Sequence, residues 1–136
     1  MAEIDISGTR NRSYKDLSLS MGLNPVTNDV VSVSGIDAVK RAIKNLLSIQ
    51  CGEVPFFPNL GSRLNELLFE PIDPITTIRI DSEIRATLGG FEPRAHVVAL
   101  VITPTDDQHR YQVDLTLQLV NLAEPITLTL FLNRLR

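Results

Sequence analysis

The chain has 136 residues, which is the length of one domain with its own hydrophobic core. Hydrophobic residues make up 43% and charged residues 21%, which is typical of a soluble globular protein. The net charge is −3 and the Lys and Arg residues are scattered, which argues against a nucleic-acid partner. No apolar run approaches the length of a membrane span and residues 1–8 lack a signal-peptide pattern, so we expect no membrane partner and synthesis in a cytoplasm.

Residues 1–25 are predicted to form an extended N-terminal arm, and residues 26–136 a single α+β domain. Polar and turn-forming residues interrupt every regular pattern in the arm, which leaves room for one short strand near residues 16–20. Three valines within residues 29–33 predict a second short strand.

The first predicted helix runs from about residue 35 to residue 48. It follows a sequence that resembles a capping box, with Ser34 at its start and Asp37 in place of the usual Glu. Apolar side chains then recur on one helical stripe: Ile36, Val39, Ile43, Leu46 and Leu47. The basic residues of the segment fall largely on the other side, which indicates a solvated face rather than a binding site.

Prolines and glycines predict a loop over residues 49–61. The loop contains Phe56 and Phe57, and aromatic rings in such a loop usually pin it to the core. The alternative is that the two rings anchor a partner. A short helix is predicted over residues 63–69, and the dipeptide Glu70-Pro71 ends it.

A third helix is predicted to begin at Pro74. Asp73 supplies the capping residue before it, and proline suits the first helical position. The helix is expected to stop at Gly89-Gly90. Its inward stripe is less regular than that of the first helix and consists of Ile75, Ile78, Ile80, Ile84 and Leu88.

The last third of the chain changes its apolar period from 3.6 to 2, which predicts a three-stranded antiparallel meander packed on the helices. Residues 97–102 are apolar on both faces, which favours an interior strand. Residues 111–119 and 126–132 alternate apolar with polar side chains. The last strand, which holds Leu128 and Leu130, carries little that blocks pairing, so its edge invites a strand from another chain.

The junction between the third helix and the sheet concentrates an acid, a proline and a base in Glu92, Pro93 and Arg94. Pro93 fixes its own φ and pushes Glu92 towards an extended conformation. If the extension continues, both charged side chains point to one side of the backbone. Such a stiff presentation of both charge signs suits docking to another protein. An ordinary junction with two solvated charges is the simpler interpretation.

Signals for catalysis are weak throughout the sequence. No activated nucleophile or glycine-rich phosphate loop occurs, and one cysteine with two histidines predicts neither a disulfide nor a metal site. Glycoside hydrolysis needs two carboxyl groups, but residue type alone does not identify them among candidates such as Glu53, Glu66, Glu70 and Glu92. We expect no enzyme and no cofactor.

Between about residues 30 and 103, the chain resembles the baseplate-wedge and sheath-initiator family of contractile phage tails, which includes the corresponding wedge component of type VI secretion baseplates. The resemblance depends on the order and spacing of short motifs: Val39-Lys40, Asn45-Leu46-Leu47, Gly52-Glu53, Pro55-Phe56, Pro58, Gly61-Ser62, Leu67-Leu68-Phe69-Glu70-Pro71, Ile84-Arg85 and Glu92-Pro93-Arg94. Cys51 departs from the pattern, since the family more often has proline or a polar residue there.

The resemblance implies a non-enzymatic structural protein of the virion tail baseplate, assembled in the host cytoplasm and present in several copies around the tail axis. It implies that Glu92-Pro93-Arg94 contacts a helical core bundle made by the larger wedge proteins. The strands at 111–119 and 126–132 resemble the interlocking domain of the tail sheath protein and would template the first sheath ring by strand exchange. The expected protein-binding residues are therefore Glu70, Pro71, Glu92, Pro93, Arg94, Leu128 and Leu130.

Two alternatives stay open. A tail-associated glycan hydrolase would place two carboxylates in one cleft and lyse cell walls; some family members carry a lysozyme label, but nothing in these residues supports that activity. A regulatory binding protein on the same fold would form a one-to-one complex rather than a ring.

Overall fold

The computed structural model describes residues 15–18, 21–30, 32–105, 110–120 and 122–133. The chain has the predicted α+β fold. It consists of two compact units, residues 1–38 and residues 39–136. None of the helices in the described ranges combines the length and the apolar character needed to cross a membrane. In chain order the elements are β1 (Lys15–Leu17), β2 (Ser32–Ser34), α1 (Ile36–Ser48), α2 (Leu64–Leu67), α3 (Pro74–Phe91), β3 (Ala95–Thr105), β4 (Arg110–Leu119) and β5 (Ile126–Asn133).

The first unit contains a small antiparallel ribbon. Strand β1 pairs with β2, and an isolated bridge joins Leu23 to Val30. The side chain of Asn24 accepts a hydrogen bond from the backbone N–H of Val26 at 3.0 Å, which tightens the connection between them. Strand β1 lies in the predicted arm and its partner β2 lies in the predicted domain. The boundary at residue 25 stays a prediction.

The core of the second unit follows the predicted stripe of α1. Val39, Ile43, Leu46 and Leu47 are buried. Helices α2 and α3 and strand β4 supply the other fully buried apolar side chains, namely Leu64, Ile80, Ile84, Leu88, Tyr111, Val113, Leu115 and Leu117. Burial of this apolar surface is the main favourable contribution to folding of the unit.

Helix α3 begins as the sequence predicts. Pro74 occupies the first helical position, and one carboxylate oxygen of Asp73 accepts the backbone N–H of Thr76 at 2.6 Å. This bond satisfies an amide that has no partner inside the helix. The same hydrogen bond lowers the pKa of Asp73 from its ordinary value of 3.8, because it stabilises the charged form.

The free energy of unfolding is expected to fall as the solution is acidified below about pH 4, because protonation of Asp73 weakens the cap. A carboxyl group with a lowered folded-state pKa stabilises the fold above its unfolded pKa and loses that effect as the pH falls through its folded value. Urea midpoints measured between about pH 2.5 and pH 7 would show this slope. Asp73→Asn keeps a capping oxygen without a titrating group, so its slope should be shallower. Equal slopes for the two proteins would contradict the role of Asp73.

The predicted stripe of α3 is wrong at its start. Ile75 and Ile78 are exposed, and Thr76 is buried in their place. The buried face runs through Thr76, Ile80, Ile84 and Leu88, which recur every four residues along one side of the helix. The prediction from sequence periodicity considered only the large apolar residues, so it did not identify Thr76 as an inward-facing residue.

The predicted stop of α3 at Gly89-Gly90 is also wrong, because the helix continues to Phe91. A helical glycine costs only about 1 kcal/mol relative to alanine, which is too little to end a helix whose preceding turns are packed. The helix ends one residue later, at Glu92, whose N–H still donates to the carbonyl of Leu88 at 2.9 Å. Pro93 disfavours a helical conformation at Glu92 and so fixes this end.

The sheet is the predicted antiparallel meander, but its order is β3-β4-β5. The interpretation of residues 97–102 as an interior strand is therefore wrong, since β3 lies at one side of the sheet. Its outward-facing apolar residues are exposed, including Val101. The register between β3 and β4 shifts at a bulge that contains Val98. Strand β4 is central, and alternate residues from Tyr111 to Leu119 are buried, as predicted.

The prediction that aromatic rings pin the loop between α1 and α2 to the core is wrong. Phe56 and Phe57 are both exposed. The loop is folded by its own backbone instead: Gly52 donates to Pro58 at 2.9 Å, and Ser62 donates to Ile49 at 2.9 Å. These bonds hold the loop in shape without burying the rings.

Candidate functional site

The junction at residues 92–95 is a tight β-turn. The N–H of Ala95 donates to the carbonyl of Glu92 at 3.3 Å, with Pro93 at the second position of the turn. The carbonyl of Arg94 accepts the N–H of Val120 at 3.1 Å, which ties the turn to the end of β4. Both neighbouring elements therefore hold the backbone of this segment, which we call the Glu92 turn.

Glu92 and Arg94 form a two-pronged ion pair within the Glu92 turn. The Nε of Arg94 lies 2.5 Å from one carboxylate oxygen of Glu92, and a terminal nitrogen lies 2.6 Å from the other. Both side chains thus lie on the same side of the backbone. Glu92 is only 4% exposed, whereas 31% of the Arg94 side chain is exposed. Pro93 is exposed and Arg94 is half-buried, so these two side chains form the accessible part of the turn.

Glu70 and Pro71 lie at the other end of α3, a helix of 18 residues that is about 27 Å long. Both carboxylate oxygens of Glu70 accept from one guanidinium nitrogen of Arg79, at 2.6 and 2.7 Å. The hydroxyl of Thr76 donates to Glu70 at 3.4 Å. The structure therefore separates this dipeptide from the Glu92 turn, and Glu70 ties the α2–α3 connection to the first turns of α3.

A groove of about 380 Å³ lies where the C-terminal end of α1 and helix α2 meet strand β5. We call it the β5 groove. Lys44 and Asn65 contribute polar groups, and Leu47, Leu64 and Leu68 line it from the helices. Strand β5 contributes residues 130–133, including Leu130. The groove thus places a partly apolar trough beside the last strand of the sheet.

The two outer strands of the sheet differ in their regularity. Strand β5 pairs with β4 in unbroken register from Ile126 to Asn133 and contains no proline or charged residue. Strand β3 carries the bulge at Val98 and includes Pro104, which has no N–H. In the part of the chain that the structure describes, neither strand has a further strand beside it. Strand β5 is therefore the outer strand better suited to accept another strand.

Polar side chains brace the sheet face outside the core. The hydroxyl of Thr129 donates to one oxygen of Asp114 at 2.7 Å, and the amide of Gln112 donates to the other at 2.9 Å. These bonds lower the pKa of Asp114 from its ordinary value. The guanidinium of Arg110 lies 4.6 Å from the centre of the Phe131 ring. The Thr129–Asp114 bond and the Arg110–Phe131 contact join β4 to β5 and support the register of the outer strand.

Three carboxylates lie around a second groove, between α2 and α3. Glu70 is paired with Arg79, and Glu83 accepts the backbone N–H of Arg63 at 2.8 Å. Glu66 is the third. A glycoside hydrolase needs one carboxyl that donates a proton, whereas both oxygens of Glu70 already accept from a guanidinium. No cluster of metal-binding side chains occurs within the described ranges.

Sequence reasoning missed the β5 groove and the burial of Glu92. The groove depends on where α1, α2 and β5 meet, which no local pattern reports. The expected extended conformation at Arg94 is wrong, because residues 92–95 form a turn; the turn nevertheless places the acid and the base on one side of the backbone, as predicted.

Comparison with known proteins identifies relatives of this arrangement. The model of a family described as baseplate wedge protein gp25 matches residues 33–123. The baseplate wedge protein gp25 of Enterobacteria phage T4 is 24% identical over 116 residues, which cover 85% of this chain and 87% of the T4 protein. The family match extends to residue 123, past the point near residue 103 where the motif resemblance ends.

Three solved structures share the fold. A Geobacter sulfurreducens protein named as a tail lysozyme has a TM-score of 0.71 and 20% identity, covering 78% of this chain and 96% of that one. A chain of the anti-feeding prophage baseplate has a TM-score of 0.71 and 22% identity, with coverage of 82% and 90%. A chain of the postcontracted pyocin R2 baseplate has a TM-score of 0.54 and 24% identity, with coverage of 71% and 93%.

At these identities the solved structures establish the fold, and the family match covers most of the chain. The protein is therefore a member of the baseplate wedge protein gp25 family.

Proposed function

We propose that this chain is a structural component of the baseplate wedge of a contractile tail, present in several copies around the tail axis. Family membership over residues 33–123 is the observation that carries the proposal. The likeness to chains of the anti-feeding prophage and pyocin R2 baseplates agrees with it at the level of the fold. The site of action is the virion tail baseplate, with assembly in the host cytoplasm.

The Glu92 turn is the proposed contact with the helical core of the larger wedge proteins. Its backbone is held from both sides, so little conformational freedom is lost when a partner binds. The Arg94 side chain is 31% exposed, so a carboxylate or a helix C-terminus of the partner can approach its positive charge. Glu92 is proposed to orient Arg94, and Pro93 to stiffen the turn. Glu70 and Pro71 would belong to a second, separate contact.

The β5 groove is the proposed site that templates the first ring of sheath. A strand from the sheath protein would pair with the backbone of β5 and lay alternate side chains into the trough beside it. Within β5, Leu130 is buried and Leu128 is half-buried, so their proposed role is to hold β5 in place. Main-chain hydrogen bonds would supply affinity, and the apolar trough would supply register.

Co-expression of this chain with candidate wedge and sheath proteins from the same source tests the proposal. The expected result is a wedge complex that elutes as one species on gel filtration, and assembled baseplates on which sheath rings form. A one-to-one complex with a protein outside any tail would instead support a regulatory role. Wedges that assemble normally without this chain would refute the proposal.

A glycan hydrolase is the second candidate, because a Geobacter sulfurreducens protein with this fold is named as a tail lysozyme. Among the described residues, Glu66, Glu70 and Glu83 lie around one groove and are the carboxylates that such an activity would have to use. Purified protein should leave the turbidity of a peptidoglycan suspension unchanged. Clearing that is lost in Glu66→Gln and Glu83→Gln would establish the enzyme instead.

A further inference from the structure

The most exposed aromatic side chain that the structure describes lies at the tip of the loop formed by residues 49–62, which we call the Phe56 loop. Phe56 is 96% exposed, and the neighbouring Phe57 is 66% exposed. Two adjacent phenyl rings in water forgo the favourable free energy of burying roughly 150–250 Å² each. Neither ring is needed to fill the core of its own subunit.

The backbone beneath Phe56 is strained as well. The N–H of Phe57 donates to the carbonyl of Val54 at 3.2 Å, which closes a turn with Pro55 at its second position and Phe56 at its third. Phe56 has a φ of +70°, the value that a type II turn requires at that position and that favours glycine or asparagine. Backbone strain of this kind, where local preference and structure disagree, is concentrated at functional positions.

The loop is built to hold this strained tip. Glu53 donates its N–H to Gln50 at 3.0 Å, and a carboxylate oxygen of Glu53 accepts the N–H of Gln50 at 3.0 Å. At the base, a side chain on Gly61 would place its Cβ 2.6 Å from the carbonyl oxygen of Ile49, so the two ends of the loop meet closely. The hydroxyl of Ser62 donates to Leu47 at 3.1 Å and anchors the base. The rings are therefore presented on a preorganised support.

We infer that the Phe56 loop is a docking element whose two rings enter an uncharged apolar cleft on a larger wedge protein. The inference depends on the proposed function and names a contact separate from the Glu92 turn and the β5 groove. The charge of the loop identifies the kind of partner: Glu53 is the one charged residue between positions 50 and 62, and one of its carboxylate oxygens accepts the N–H of Gln50 within the loop. If the cleft were lined by charged groups, those groups would lose their hydration on binding, and the loop would offer them no partner.

The same charge distribution disfavours a lipid surface. Loops that insert aromatic side chains into membranes usually carry Lys or Arg beside them, which bind the anionic headgroups. Residues 50–62 contain neither. An apolar cleft in a protein needs no such basic residues.

Phe56→Gly is the decisive variant, because it removes the more exposed ring and installs the residue that the turn favours. In the co-expressed complex, the dissociation constant for the larger wedge protein should rise at least about tenfold. The melting temperature of the isolated full chain should stay equal or rise, because backbone strain is relieved. Asn28→Gly is the matched control: it changes another exposed residue with a positive φ, outside the loop, and should leave wedge binding unchanged.

Each other outcome has a defined meaning. If wild-type chain binds the wedge protein and Phe56→Gly binds equally well, the docking role is wrong while the proposed function stands. If wild-type chain binds no wedge protein, both fail. Sedimentation that shows a wild-type dimer dissociated by Phe56→Gly would assign the rings to self-association. If the chain floats with phosphatidylglycerol vesicles and Phe56→Gly does not, the rings bind a membrane. Either result overturns the inference.

Discussion

Arg94→Ala is expected to lower the free energy of unfolding by about 2–3 kcal/mol and to abolish docking on the wedge core. The substitution leaves the carboxylate of Glu92, which is 4% exposed, without the guanidinium that holds both its oxygens. The full cost of breaking a buried pair is reduced here because Arg94 is partly exposed. A typical domain retains enough stability to stay folded after this loss. Urea denaturation measures the stability, and gel filtration of the co-expressed wedge measures docking.

The double variant Glu92→Gln/Arg94→Ala separates the two effects. It removes the buried negative charge together with its partner, so most of the lost stability should return. Docking should not return, because the guanidinium is still missing. Arg94→Lys keeps the positive charge without the two-pronged geometry and should bind with intermediate affinity. Normal wedge assembly by the stable double variant would show that Arg94 only supports its own fold.

Leu132→Lys should prevent sheath rings from forming on an otherwise complete baseplate. Leu132 is half-buried and lines the β5 groove, so a lysine would place a cation where an incoming strand must bury its side chains. The monomer should lose only about 1 kcal/mol, because the long side chain can direct its ammonium group to water. Electron microscopy of baseplates mixed with sheath protein gives the measurement: the fraction that carries sheath should fall to the level without this chain.

Val101→Lys supplies the control for the other side of the sheet. Val101 is exposed on β3, the strand with the bulge and the internal proline. A lysine there should leave both stability and sheath formation unchanged. Loss of sheath with Val101→Lys and not with Leu132→Lys would move the template from β5 to β3.

Elements governed by local chemistry could be predicted from the sequence. The N-cap at Asp73 followed by Pro74 located the start of α3, since both act through the backbone of the same turn. The alternation from Tyr111 to Leu119 identified a strand with one buried face. The motif order that ends at Glu92-Pro93-Arg94 indicated the family that comparison then established.

Features set by tertiary packing could not be predicted in this way. The exposure of Ile78 and the inward position of Thr76 depend on which side of α3 meets the sheet. The outer position of β3 depends on the order of the strands in the sheet, which the apolar pattern does not report. An outer strand can be apolar on both faces when a helix covers one of them. The burial of Glu92 depends on the turn that brings Arg94 back over it. The roles of these surfaces in assembly remain predictions for the experiments above.

The unequal borders of the sheet have a consequence for the free protein before assembly. An endless head-to-tail fibre of identical copies would require β5 of one molecule to pair with β3 of the next. The bulge at Val98 and the missing N–H of Pro104 interrupt that pairing. Open-ended fibres of newly made copies are therefore disfavoured, although each copy exposes a regular β5 backbone.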